Sequence, residues 1–152
     1  MRINIIAVGK IKEKYFSDAL DEYVKRASRF AEIRVAEVPE APQGKSVAER
    51  RALESASLMS KARGAVVLTD IGGEELSSDR LAEFIQKKGV GGVSEISFLI
   101  GGSDGCSDEL KASVDMRISF GKNTFPHQLF RVMLAEQIYR ALTIINGVKY
   151  HK

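Results

Sequence analysis

The chain has 152 residues, of which 44% are apolar and 28% are charged, and its formal net charge is +3. This composition is ordinary for a soluble globular protein, so we expect one domain over residues 1–152, cytoplasmic, with no membrane-spanning segment and no membrane partner. A single cysteine, Cys106, excludes an internal disulfide framework and a cysteine-rich zinc site.

The first part of the chain alternates apolar runs with helical spacing. Residues 3–8 form an unbroken apolar run, which predicts a buried strand. Apolar residues at helical intervals over residues 12–30 predict an amphipathic helix. A second strand is predicted over residues 33–38, and the polar, proline-containing segment 39–45 that follows is predicted to be a loop.

A capping box opens the next predicted helix. The Ser46 hydroxyl can accept a hydrogen bond from a free helix amide, while the Glu49 carboxylate can accept one from the Ser46 amide. The helix is predicted to continue up to Gly64, which would supply its C-terminal turn.

A third strand and a further helix are predicted next. The run A-V-V-L predicts a strand over residues 65–68, followed by a glycine turn at residues 72–73. Ser78 is the predicted cap of a helix that ends at the glycine-rich segment 89–92.

The most informative stretch is E-I-S-F-L-I-G-G-S-D-G, residues 95–105. Its apolar run, residues 96–100, predicts a strand that is buried on both faces. The glycines directly after it allow the backbone to approach a ligand, and ligands of open α/β sheets bind at the carboxyl ends of strands. The alternative is that this glycine turn is only a tight connection.

The remaining elements complete an α/β pattern. A short helix after Ser107 and a fifth strand over residues 116–120 lead to a last long helix. Pro126 suits the first position of that helix, and Asn146-Gly147 ends it. Strands connected through helices predict an open parallel sheet with helices on both faces.

The charge is unevenly distributed along the chain. Residues 117–152 contain six basic residues and one acidic residue, a net charge of +5, whereas the first 116 residues carry −2. Such an asymmetry favours a polyanionic partner. The alternative is that these cations are the solvated face of an amphipathic helix.

Several common chemistries lack their sequence signature. The chain has no G-x-x-x-x-G-K-[ST] phosphate loop, and G-K-I-K follows the first strand where a dinucleotide-binding fold has G-x-G-x-x-G. It has no G-x-S-x-G elbow of a serine hydrolase. Its two histidines are far apart, so we expect no metal site.

Four segments in order resemble the RlmH family, the 23S ribosomal RNA pseudouridine-N3 methyltransferases of the SPOUT superfamily. They are I-G-G-S-D-G (100–105), S-F-G-K-N-T-F-P-H-Q-L-F-R (119–131), E-Q-I-Y-R-A (136–141) and K-Y-H-K (149–152). The resemblance covers the whole chain. It implies an α/β fold with a C-terminal trefoil knot, S-adenosylmethionine as cofactor, 23S rRNA in the ribosome as substrate, and a homodimer.

The resemblance also implies site residues. The expected cofactor contacts are Leu68, Gly101, Phe120, Gly121, Lys122, Asn123, Thr124 and Phe125. The expected RNA contacts are His127, Arg131, Tyr150, His151 and Lys152. The sequence identifies no general base, and it assigns no role to the side chains of Asp104 and Cys106.

Alternatives remain open for both the residues and the function. His127 could only cap its helix, and residues 150–152 could be a frayed tail. The chain could also be a SPOUT methyltransferase that acts on transfer RNA, or an RNA-binding or ribosome-binding module without catalytic activity.

Overall fold

The fold is built around one central strand with helices on both sides of the sheet. The computed structural model describes all 152 residues. The strands are β1 (Arg2–Val8), β2 (Glu32–Val38), β3 (Ala65–Glu75), β4 (Glu95–Ile100) and β5 (Met116–Ser119). The helices are α1 (Lys14–Ala27), α2 (Val47–Lys61), α3 (Ser78–Val90), α4 (Asp108–Ser113) and α5 (His127–Ile145).

The five strands form one sheet in the order β2-β1-β4-β3-β5, and every neighbouring pair is parallel. The helix α5 packs against α1 and α3 over one face, and their apolar side chains form the larger core cluster. The helices α2 and α4 contribute Leu58 and Leu110 to a smaller cluster on the other face. The predicted parallel sheet with helices on both faces is therefore confirmed.

The strand β4 is buried on both faces, as its apolar run predicts. Ile96, Phe98 and Ile100 belong to the larger cluster, whereas Leu99 belongs to the smaller one. This division follows the two-residue period of a strand, which sends successive side chains to opposite faces. Five of its six residues are buried, so β4 fixes the position of the turn that follows it.

The capping box of α2 forms as predicted, but the end of that helix differs from the prediction. Ser46 accepts a hydrogen bond from the Glu49 amide, and the Glu49 side chain accepts one from the Ser46 amide. The helix ends at Lys61, and its C-terminal turn does not use Gly64. A side chain at Gly64 would lie 1.9 Å from the Glu95 carbonyl oxygen, so this glycine permits close approach to β4.

Two other helix starts lie one residue from their predicted positions. The α3 cap is the Ser77 hydroxyl, which accepts a hydrogen bond from the Arg80 amide, so Ser78 is the first helical residue. Pro126 occupies the cap position of α5, and His127 is the first helical residue. No helix combines the length and the apolar character needed to cross a bilayer.

Candidate functional site

The carboxyl ends of β3, β4 and β5 open onto one cleft, because parallel strands end at the same edge of a sheet. Glycines and hydrophobic residues make up most of its wall, to which the first turn of α5 also contributes. The lining residues are 69–71, 100–103, 105, 106, 118–121, 123–125, His127 and Phe130.

The strand β3 contributes Thr69, its last residue paired with β4, to the cleft wall and does not contribute Leu68. Leu68 is fully buried in the core cluster shared with α2 and α4, so its side chain is not available to a ligand. Thr69 lines the cleft, and its hydroxyl donates a hydrogen bond to the Leu99 carbonyl oxygen at 2.9 Å. The cofactor contact expected at Leu68 stays a prediction, and only its backbone is available for it, whereas the side chain of Thr69 points to the opposite side of the strand.

The glycine turn predicted after β3 is a bulge within a continuing strand. Ile118 of β5 pairs with both Thr69 and Glu74, so residues 70–73 protrude from the ladder. A side chain at Gly73 would lie 2.7 Å from backbone atoms of β5, which explains the glycine at this position. The bulge places Asp70 and Ile71 in the cleft wall.

The turn after β4 brings backbone to the floor of the cleft. A side chain at Gly101 would lie 2.6 Å from the Cys106 sulfur, and one at Gly102 would lie 2.7 Å from Glu54 Oε1. The Gly105 amide donates to the Gly102 carbonyl at 3.0 Å, which closes a tight loop. Neither Gly101 nor Gly102 has a positive φ, so close packing explains both glycines.

The helix α2 supports this loop from below. Glu54 is 3% exposed and accepts a hydrogen bond from the Ala41 amide, while its other oxygen lies against Gly102. Arg50 forms an ion pair with Asp104 at 2.9 Å. The role of Asp104, which the sequence leaves open, is thus to attach the loop to α2.

The thiol of Cys106 is buried under the same loop. It lies 7% exposed beside Gly101, and burial raises its pKa to about 11. A thiol with such a raised pKa is protonated at neutral pH, and the protonated form is a poor nucleophile. We therefore interpret Cys106 as a packing residue.

The loop after β5 forms the third wall. The Ser119 hydroxyl accepts a hydrogen bond from the Gly121 amide at 3.2 Å and donates one to the Gly121 carbonyl at 2.9 Å. Gly121 has φ +110°, a conformation that favours glycine. The rings of Phe120 and Phe125 pack on Phe130 of α5 with centroid distances of 4.9 and 6.2 Å. The loop is thereby anchored to α5.

Of the five loop residues 121–125 after β5, four line the cleft and one does not. Asn123, Thr124 and Phe125 line it, and so does Gly121. Lys122, an expected cofactor contact, is exposed and lies outside the wall. The cofactor contact expected at Lys122 stays a prediction.

His127 and Arg131 have different environments, although they are one turn apart on α5. His127 is exposed, lines the cleft and forms no capping hydrogen bond. Arg131 is 1% exposed and pairs with Glu37 at 3.1 Å. It also donates to the carbonyl oxygens of Val8 and Gly9 at 3.3 and 3.1 Å.

The buried Arg131 guanidinium joins α5 to the carboxyl ends of β1 and β2. Burial lowers its pKa. The guanidinium is buried in this arrangement, which favours an anchoring contact over the RNA contact expected at Arg131. Gln128 adds a second anchor, since its Oε1 accepts hydrogen bonds from the Lys12 and Glu13 amides at 2.9 and 3.2 Å.

The C-terminal residues fold back onto α5. Tyr150 packs on Tyr139 with a centroid distance of 4.6 Å and donates a hydrogen bond to Glu136 at 2.9 Å. Burial, followed by this hydrogen bond, raises the pKa of Tyr150 to about 12. The Arg140 guanidinium lies 4.7 Å from the Tyr150 ring centroid. The frayed-tail alternative therefore does not hold for Tyr150.

The last two residues differ in exposure, since His151 is partly buried and Lys152 is exposed. His151 Nε2 lies 3.5 Å from the Asp79 carboxylate at the start of α3, and Lys152 is exposed. The tail thus lies against α3 and α5.

The titratable side chains in the cleft wall are Asp70, Cys106 and His127. Asp70 was not among the predicted site residues, and neither was Thr69 or Ile71. The signal that could have identified them is the polar pair Thr69-Asp70 directly after a buried apolar run. No group of three or more His, Cys, Asp or Glu side chains is arranged to hold a metal ion.

Two solved structures share this fold. The tRNA (m1G37) methyltransferase from Aquifex aeolicus aligns with a TM-score of 0.54 and 18% identity over 100% of this chain and 74% of its own. A probable methylase family protein from Haemophilus influenzae aligns with a TM-score of 0.53 and 13% identity over 99% and 70%. These similarities confirm the predicted α/β fold with a C-terminal trefoil knot.

Sequence relatives match over the full length. A ribosomal RNA large subunit methyltransferase H from Lactobacillus acidophilus is 48% identical, and one from Fusobacterium nucleatum is 41% identical, each over 100% of both chains. A putative ribosomal RNA large subunit methyltransferase H from Methanococcus maripaludis is 45% identical over the same coverage. The profile of the family described as "Predicted SPOUT methyltransferase" matches residues 1–151. The chain belongs to the SPOUT methyltransferase family.

Proposed function

We propose that the protein is an S-adenosylmethionine-dependent methyltransferase of the large ribosomal subunit RNA that methylates N3 of a pseudouridine in 23S rRNA. The observation that carries the proposal is the cleft lined by β3, β4 and β5, whose wall combines glycine turns with the rings of Phe120, Phe125 and Phe130. The proposal is supported by relatives named for ribosomal RNA methylation that are 41–48% identical over the full length. A transfer RNA substrate is not favoured, because none of these relatives is named for one.

The cleft has the features that S-adenosylmethionine requires. The glycines of the β4 turn leave space that a side chain would fill, and Gly121 lets the β5 loop turn sharply. We assign the cofactor contacts to Thr69, Gly101, Phe120, Gly121, Asn123, Thr124 and Phe125. S-adenosylmethionine would supply an electrophilic methyl group next to the RNA base.

The chain contributes to catalysis mainly through position. The Phe120 and Phe125 rings form an apolar side of the cleft, and both pack on Phe130. Fixing two reactants in a productive orientation can account for much of the barrier reduction in a transfer reaction. No side chain is assigned as a general base, and the N3 proton can leave to water.

The RNA contacts are proposed along the cleft edge and the C-terminal tail. His127 is an exposed residue of the cleft wall. Lys122 is an exposed cation whose chain neighbours Gly121 and Asn123 line the cleft. The tail offers the Tyr150 ring for stacking and His151 and Lys152 for phosphate contacts. Arg131 is left out of this group because its guanidinium is buried.

We further propose a homodimer. Large apolar side chains of α5 are only partly buried in one protomer, among them Leu129, Phe130, Met133, Ile144 and Ile145. A second copy would remove this surface from water, which is the usual driving force for association. Sedimentation equilibrium at micromolar concentration should give twice the chain mass of 16.7 kDa, and a monomer would contradict the proposal.

Calorimetry and methylation assays test the function. We expect S-adenosylmethionine to bind the purified protein, and we expect methyl transfer to 50S subunits or 70S ribosomes to exceed transfer to free 23S RNA. Mass spectrometry of digested RNA would locate the methyl group. Methylation of transfer RNA in place of ribosomal RNA would overturn the substrate, and absence of cofactor binding would overturn the enzymatic function.

A further inference from the structure

Asp70 is the only carboxylate in the cleft wall. Its side chain is 13% exposed, and its partners are Arg117 Nη1 at 3.2 Å and Lys111 Nζ at 3.7 Å. Both contacts are long for charge-assisted hydrogen bonds, which are typically about 2.7–2.9 Å. A carboxylate has about four acceptor positions, so Asp70 keeps capacity for a further cationic or donor group.

The backbone at Asp70 is shaped to place it in the wall. The bulge 70–73 lifts this residue out of the ladder, and Gly73 lets the bulge lie directly against β5. The two cations come from β5 and α4, so three elements fix the carboxylate. An ordinary ion pair at the protein surface would not need a bulge or contacts from three elements. In a regular strand, residues 70–73 would pair with β5 and would not protrude.

We propose that Asp70 determines the preference of the cleft for S-adenosylmethionine over S-adenosylhomocysteine. This inference rests on the proposed function. The two compounds differ by one methyl group and one positive charge on sulfur, so apolar and backbone contacts bind both with similar strength. A negative side chain in the wall attracts the cationic form selectively, because the attraction depends on charge and distance.

The same contact would promote product release. When N3 of the base takes the methyl group and loses its proton to solvent, the sulfur keeps the electron pair of the broken bond and becomes neutral. Asp70 then has no cation on sulfur to attract. Its ion pairs with Arg117 and Lys111 remain, so the carboxylate stays in place for the next cofactor molecule.

Binding measurements on Asp70→Asn test the inference. Calorimetry should show that the affinity for S-adenosylmethionine falls at least about fivefold, whereas the affinity for S-adenosylhomocysteine changes less than about twofold. Sinefungin, which has an amine cation in place of the sulfonium, should follow S-adenosylmethionine. The control is Glu109→Gln, which makes the same charge change at an exposed residue of α4 and should alter no affinity.

The outcomes separate this inference from the proposed function. Equal loss of affinity for all three compounds, or no loss, would overturn the role of Asp70 and leave the methyltransferase function intact. A wild-type protein that binds none of them would overturn both. If Asp70→Asn does not fold, Arg117→Gln gives the test, because removing the neutralising guanidinium should raise the preference for S-adenosylmethionine at least about twofold. A fall or no change in that preference would contradict the inference.

Discussion

A side chain added at Gly101 should damage both packing and cofactor binding, and the two effects can be separated. The new Cβ of Gly101→Ala would lie 2.6 Å from the Cys106 sulfur, whereas ordinary contacts begin at 3.4 Å. The sulfur would therefore have to move by about 0.8 Å in a buried site. We expect the free energy of unfolding to fall by about 1–3 kcal/mol, since overpacking typically costs this much.

Removal of the sulfur isolates the steric part. In Cys106→Ala the obstructing atom is absent, and the next neighbour of a Cβ at residue 101 is the Gly105 carbonyl carbon at 3.5 Å, an ordinary contact. We therefore expect Gly101→Ala to cost little when it is made in the Cys106→Ala background. Denaturant unfolding of the wild type, both single variants and the double variant gives the coupling energy, which we expect to be about 1–2 kcal/mol. All four proteins must be compared at one concentration, because association affects apparent stability.

Cofactor affinity should not recover in the double variant. If Gly101 lies against the ligand, its side chain still occupies ligand space after the sulfur is removed. Calorimetry with S-adenosylmethionine should show at least a tenfold weaker affinity, which corresponds to about 1.4 kcal/mol. A double variant with wild-type affinity would refute the assignment, because Gly101 would then serve packing alone. The larger Gly101→Val should show the same loss of affinity wherever it folds.

Three further changes have distinct expected results. Ending the chain at Lys149 should lower the free energy of unfolding by about 1–2 kcal/mol, because the contacts of Tyr150 are lost. The shortened protein should still bind S-adenosylmethionine but lose most RNA methylation. Full methylation would contradict a role of the tail. Arg131→Met should lower the free energy of unfolding, measured with denaturant, by about 2 kcal/mol. This value is smaller than for a fully buried ion pair because Glu37 is partly exposed. The salt dependence of RNA binding should not change. A smaller salt slope would restore Arg131 as a phosphate contact. The pKa of Cys106, raised to about 11, means that its protonated thiol stabilises the fold below the unfolded pKa of about 8.5. This contribution should be lost as pH rises towards 11, and alkylation of the native protein at pH 8 should be slow; rapid alkylation would contradict the buried position.

The fold could be predicted from the sequence wherever the signal is local. The strand β4 has an unbroken apolar run between turn residues, and the structure buries it on both faces as this pattern requires. The start of α2 could be predicted for a similar reason, because both partners of the capping box lie within four residues. The position of the cleft followed from the parallel order, since it depends on strand direction and not on individual side chains.

The environments of Arg131 and Tyr150 could not be predicted, because their partners are distant in the chain or depend on how a turn folds. Arg131 contacts Glu37 and Val8, which are 94 and 123 residues away. The spacing of His127 and Arg131 correctly indicates a shared side of α5. It does not indicate that His127 lies at the cleft while Arg131, one turn later, is buried against the carboxyl end of β1. Tyr150 follows the end of α5, but the chain turns back there, and the Tyr150 hydroxyl donates a hydrogen bond to Glu136 of the same helix.

The residues of β3 show why strand pattern alone cannot define this site. A shift of one residue reverses the face of a side chain, so the difference between Leu68 and Thr69 separates a core position from a cleft position. The bulge then interrupts the alternation, and both Asp70 and Ile71 reach the cleft although neighbours in a regular strand point to opposite sides. The feature of the sequence that corresponds to this bulge is Gly73, whose missing side chain leaves room for the backbone of β5. The carboxylate in the cleft wall therefore depends on a glycine three residues further along the chain. A substitution at Gly73 should displace Asp70 without changing any residue of the wall.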